Sequence, residues 1–71
     1  MIDPPKQVTG GIFSGHWWVG IKTTSILGYL RYDGTTCGQM QTSPDEADGG
    51  TYFSSEEAAK KAIEIYHELR Q

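Results

Sequence analysis

Seventy-one residues, with nine Asp or Glu against six Lys or Arg, make one small acidic domain of net charge −3. A chain of this size buries only about 60% of the surface it exposes when unfolded. One cysteine excludes an internal disulfide, no run approaches the roughly 20 apolar residues of a membrane span, and an acidic balance argues against tight sequence-independent nucleic-acid binding, which needs several cations on phosphates.

Residues 1–13 read as a flexible leader or an anchoring segment. Pro4-Pro5 blocks a helix and Gly10-Gly11 is loose, with Ile12 and Phe13 as the candidate anchors. The opening residues lack both a basic start and an apolar run, so no signal peptide is expected, and the lone Cys37 fits a reducing compartment. The expectation is a soluble cytoplasmic protein. Residues 14–71 read as a single β-β-β-α domain.

Residues 16–22 alternate as a strand, with Trp17, Val19 and Ile21 on one face and His16, Trp18, Gly20 and Lys22 on the other. A turn at Thr23-Thr24-Ser25 leads to a second strand over 26–32. Asp33-Gly34 then predicts a two-residue type I′ hairpin. That register sets Tyr32 opposite Thr35, Leu30 opposite Cys37 and Leu27 opposite Met40. It places Ile26, Leu30, Tyr32 and Cys37 on one face, the expected core face because it carries no charge. Leu27, Tyr29, Arg31 and Met40 fall on the other.

Residues 42–50 read as a loop, in which Ser43-Pro44-Asp45-Glu46 has the pattern of one helical turn. Residues 51–53 read as a short fourth strand. Ser54 and Glu57 predict a capping box for a helix over 55–69, with Glu56 and Glu57 where the helix dipole favours negative charge. Ala59, Ala62, Ile63, Tyr66 and Leu69 or Arg70 recur at helical spacing. The expected fold is α+β: a small three-stranded antiparallel β-sheet, with a short fourth strand, packed against one C-terminal α-helix. A small SH3-like barrel with a terminal helix is the alternative.

No residue pattern points to catalysis. A thiol nucleophile needs a base, but Cys37 sits on the expected core face, where free cysteine is commonly buried. His16, Cys37 and His67 have no paired metal-ligand spacing, and His67-Glu68 lacks the second histidine of a zinc-protease helix. Asp45, Glu46 and Asp48 before Gly49 lack the alternation and distal Glu of a calcium loop. Gly10-Gly11 and Gly15 match no phosphate-binding fingerprint. The expectation is no enzyme, no metal and no cofactor.

What remains is a surface. If Trp17, Val19, Ile21 and Leu30 face the helix, then His16, Trp18, Lys22, Tyr29, Arg31 and Met40 share the opposite sheet face. Trp, Tyr and Arg are enriched at binding hot spots, and an uncovered aromatic face marks an interaction site. Its candidate occupants are a protein partner, a second copy in a homodimer, or residues 1–13.

The run from Thr51 through Tyr52-Phe53-Ser54-Ser55-Glu56-Glu57-Ala58 to Ala59, a short extended segment entering a capped helix, resembles the end of two kinds of three-strand-plus-helix domain. These are the N-terminal domain of phage-type integrases and the AP2-like DNA-binding domain. Trp17-Trp18 and Asp33-Gly34 follow the same order of elements. The resemblance implies a sheet that reads DNA, with Lys22 and Arg31 as its cations. The residues themselves favour a small non-enzymatic protein-binding module or inhibitor, of the sort phages and mobile elements encode. A nucleic-acid-binding domain and a homodimeric structural protein are the alternatives, and no membrane partner is expected.

Overall fold

Alternating apolar residues make the run through Trp17 and Lys22 the centre of the molecule. In the computed structural model, which describes residues 2–23, 27–40 and 50–71, this run forms β2 (Trp17–Trp18) and β3 (Gly20–Lys22). Only Val19 separates them. Val19 and Ile21 are fully buried, and Trp17 packs against the same core. Successive backbone groups point to opposite edges of a strand, and both edges are used. On one edge the Val19 carbonyl accepts from Leu30 N–H (3.0 Å), and Trp17 and Phe53 exchange both backbone bonds (2.8 and 2.7 Å). On the other, the carbonyls of His16 and Gly20 accept from Val8 N–H (2.8 Å) and Asp3 N–H (3.0 Å).

Residues 2–8, expected to be loose, therefore run along an edge of the central strand. β1 (Lys6–Gln7) pairs antiparallel with β2, Lys6 opposite Trp18 and Gln7 opposite Trp17, and Ile2 bridges to Ile21. Pro4-Pro5 excludes a helix but suits an extended edge, where proline's missing donor costs nothing. Ile12 does not anchor the chain, being 91% exposed. Phe13 instead stacks on Tyr52, with centroids 4.1 Å apart.

β3 continues into an antiparallel meander with β4 (Leu27–Leu30) and β5 (Thr36–Cys37). The hairpin between β4 and β5 is not type I′. Gly34 N–H donates to the Arg31 carbonyl (3.0 Å) and Arg31 N–H to the Thr35 carbonyl (2.8 Å). Gly34 has φ +84°, and among the described residues no other residue type has positive φ. Tyr32, Asp33 and Gly34 thus form a three-residue loop, a type I turn followed by a left-handed glycine. The Asp33 carboxylate accepts from both Thr35 N–H (3.0 Å) and the Thr35 hydroxyl, which closes the turn locally.

The register consequently slips by one residue. Tyr29 faces Cys37 and Leu30 faces Thr36. A one-residue slip exchanges the faces of a strand, so Cys37 lies beside Tyr29 on the outer face rather than in the core. Leu30 remains fully buried. The turn expected at Thr24-Ser25, with Ile26, and the helical turn expected at Ser43-Pro44-Asp45-Glu46 lie outside the described residues.

The Thr35 hydroxyl, then the Thr35 N–H and the nearby Arg31 charge, hold the Asp33 carboxyl below its ordinary value of 3.8. A depressed carboxyl contributes stability above its unfolded pKa and loses it as pH falls through the folded one. Asp33→Asn is therefore expected to flatten the fall in stability below about pH 4, by a fraction of about 1 kcal/mol at this exposed position. Urea unfolding between pH 3 and pH 7 measures it.

The chain closes with α1 (Glu56–Leu69). Its N-cap is Ser55, one residue later than the expected box: the Ser55 hydroxyl oxygen accepts from Ala58 N–H at 3.1 Å. Ser54 N–H donates instead to the Tyr32 phenol oxygen at 2.7 Å, which ties the helix start to the hairpin. Ser55→Ala is expected to cost about 1 kcal/mol, while Glu57→Ala costs about 0.5 kcal/mol for the lost first-turn charge. Thermal unfolding of the two variants distinguishes this cap from the box.

Ala59, Ala62 and Tyr66 of α1 are buried against Val19, Ile21, Leu30 and Phe53. The alanines let the helix axis approach the sheet closely. Of the two residues expected to close the stripe, Leu69 or Arg70, Leu69 is 60% exposed. The last turn is covered by Arg70, whose guanidinium lies 3.7 Å from the Tyr66 ring. The molecule is an α+β domain with antiparallel sheets of two and three strands and one C-terminal helix.

Candidate binding face

Trp18, Gly20 and Lys22 point away from Val19 and Ile21, so they lie on the side of the sheet opposite the core. Trp18 packs edge to face with Tyr29 of β4, with centroids 5.8 Å apart and planes at 61°. Lys6, opposite Trp18 in β1, brings its ammonium to 5.5 Å from the indole centroid. Gly20 makes room for this arrangement. A Cβ there would come within 3.3 Å of both the Trp18 ring and an Asp3 carboxylate oxygen.

Two cavities flank the aromatic pair, and Trp18 and Tyr29 line both. One, of about 350 Å³, also involves Asp3, Gly20, Lys22 and Leu27. The other, of about 510 Å³, involves Lys6, Val8, Met40 and Tyr52. Neither includes a residue of α1. Leu27, at one end of this face, is 77% exposed.

Of the residues expected on the face, Trp18, Lys22, Tyr29 and Met40 come together around these cavities. Met40 is held by Thr51, whose hydroxyl donates to its Sδ at 3.6 Å. His16 and Arg31 line neither cavity. His16 sits edge-on to Phe13 at 5.7 Å, with a buried Nδ1 that has no hydrogen-bond partner among the described residues. Arg31 is half-buried at the hairpin, near Asp33, and its Nε likewise has none among the described residues.

Sequence reasoning missed Asp3, Lys6 and Tyr52. Tyr52 was accessible from alternation, since Phe53 faces the core and its neighbour must face outward. Asp3 and Lys6 follow only once residues 2–8 are paired as an edge strand.

Cys37 is half-buried, and its thiol donates to the Gln39 carbonyl at 3.0 Å. Among the described residues, no group of three or more His, Cys, Asp or Glu side chains could hold a metal ion, and no helix is long and apolar enough to cross a membrane. The chain matches no family model, no curated protein and no solved structure.

Proposed function

We propose that this chain is a non-enzymatic protein-binding module or inhibitor that receives its partner on the outer sheet face centred on Trp18 and Tyr29. The observation that carries this is the wall these two rings form between two adjoining cavities. Aromatic side chains already packed against each other lose little rotamer freedom on binding, which favours them as anchors. The exposed Leu27 extends the apolar surface, and Lys6 and Lys22 give it a charged border. The Cys37 thiol, bonded to a backbone carbonyl rather than to a base, fits a packing role.

The ring geometry favours a protein over a nucleic-acid strand. Stacking platforms offer ring faces to successive bases. Here Trp18 and Tyr29 meet at 61°, and Lys6 occupies the space over the indole.

Trp18→Ala and Tyr29→Ala are each expected to weaken partner binding at least tenfold, about 1.4 kcal/mol. Their helical circular dichroism should stay that of the wild type. Capture of a partner from lysate followed by calorimetry on the identified protein measures the effect, with Arg31→Ala as the comparison outside the cavities. Unchanged affinity in both aromatic variants contradicts the proposal. Light scattering distinguishes the homodimer: a two-chain mass that Trp18→Ala reduces to one chain makes the occupant a second copy.

A further inference from the structure

We infer that the larger cavity on this face captures the C-terminal end of the partner's chain: a large apolar last side chain enters the cavity and its α-carboxylate meets Lys6. The inference rests on the reading of the Trp18–Tyr29 face as the partner surface, and it specifies which part of the partner lies there. The cavity, of about 510 Å³, is walled by Trp18, Tyr29, Met40 and Tyr52. Among the described residues that line it, Lys6 alone is charged. Its ammonium lies 5.5 Å from the centroid of the Trp18 ring, so the one cation stands against a wall of the apolar space. A cation over a ring is held by the field of the ring, which leaves the ammonium's three N–H donors available to an anion.

The rim supplies further donors. The last backbone bonds of the β1 edge are made by Val8, whose N–H donates to the His16 carbonyl (2.8 Å) and whose carbonyl accepts from Gly15 N–H (3.0 Å). Thr9 and Gly10 follow, and both line the cavity and are exposed. Neither donates its backbone N–H to another of the described residues. A cation with consecutive uncommitted backbone N–H groups beside it is the chemistry that captures a terminal carboxylate.

The closeness of the ammonium to the aromatic wall decides between a chain end and an internal acid. In an extended segment adjacent side chains point to opposite sides, and the next on the same side stands about 7 Å further on. A terminal residue instead carries its apolar side chain and its carboxylate on one Cα, so a single residue satisfies the cavity and Lys6 together. The residues before it cross the Trp18–Tyr29 wall toward the smaller cavity. The net charge of −3 opposes long-range attraction of a polyanion far more than that of one terminal charge.

The test is selection of a library of random peptides displayed with free C-termini on the purified chain, with Trp18→Ala as the counter-selecting protein. The expected peptides share a large apolar last residue. A synthetic copy of one should bind at least tenfold more tightly as the free acid than as the C-terminal amide. Lys6→Gln should bind the acid at least tenfold more weakly than the wild type does and no longer distinguish it from the amide. That variant alters an exposed side chain, and circular dichroism checks its fold. If the selected peptides depend on Trp18 but acid and amide bind alike, or if Lys6→Gln keeps the preference for the acid, the inference fails while the binding face stands. If the wild type enriches nothing over Trp18→Ala, both fail. If the N-acetylated last residue alone binds as tightly as the whole peptide, the occupant is a small carboxylate and the inference is overturned. It is likewise overturned if single-stranded oligothymidylate binds more tightly than any selected peptide and loses affinity in Lys6→Gln.

Discussion

Phe53→Ala is expected to remove about 3–5 kcal/mol of stability, a large part of what a domain of this size has at about 0.05–0.15 kcal/mol per residue. Phe53 is fully buried where three parts of the chain meet. Its backbone exchanges both hydrogen bonds with Trp17 of the central strand. Its ring lies 4.5 Å from that of Tyr32 in the hairpin, and the helix begins three residues later, at Glu56. Truncation leaves a cavity that the paired backbone cannot collapse to fill. It also removes the surface that holds Tyr32, whose phenol oxygen receives Ser54 N–H at the helix start. The melting temperature should fall by roughly 15–30 °C, and Phe53→Leu should recover a large part of the loss. Urea unfolding measures both. A loss below about 1 kcal/mol would mean that this side chain is not part of the core.

Gly34→Ala is the second large effect, expected at about 2–4 kcal/mol from two separate causes. Gly34 has φ +84°, a left-handed conformation that costs an L side chain about 1 kcal/mol. A Cβ would also stand 2.6 Å from Ile65 Cγ2 and 3.1 Å from Tyr66 N, in the body of α1, and overpacking of this kind costs about 1–3 kcal/mol. Gly11 separates the two. It has φ +77° with nothing within 4 Å of an added Cβ, so Gly11→Ala should show the backbone cost alone. In an Ile65→Ala background the penalty of Gly34→Ala should shrink, and the double-mutant cycle gives the part of the steric cost that the Ile65 side chain carries. Equal losses at Gly11 and Gly34 would mean that the hairpin does not abut the helix.

The contact of Gly34 with α1 also explains where the sequence misled. Asp-Gly suits the centre of a type I′ turn and equally the last two positions of a three-residue loop. What favours the second is Thr35 on the Asp33 carboxylate and the seat of Gly34 against Ile65 and Tyr66, and that seat is a tertiary contact that local pattern does not contain. The one-residue slip moved Cys37 to the outer face but left Leu30 inside, because Leu30 belongs to the longer strand, whose alternation is anchored by its pairing with β3. The helix and the core positions Val19, Ile21, Leu30, Ala59, Ala62 and Tyr66 were legible because each repeats at the period of its element.

The binding face was half legible for the same reason. Trp18 and Tyr29 follow from alternation within strands. Asp3 and Lys6 do not, since two paired residues between Pro4-Pro5 and Gly10-Gly11 carry no period. His16 and Arg31 have the right parity, but packing against Phe13 and the charge of Asp33 draw them off the cavities.

The most direct test of the face is a map of amide chemical shifts on the nitrogen-labelled chain as a captured partner or selected peptide is added. Changes should gather at Asp3, Lys6, Trp18, Gly20, Lys22 and Tyr29, with the exposed side of α1 unmoved. Changes confined to residues 56–69, with the Trp18–Tyr29 face silent, would contradict the account.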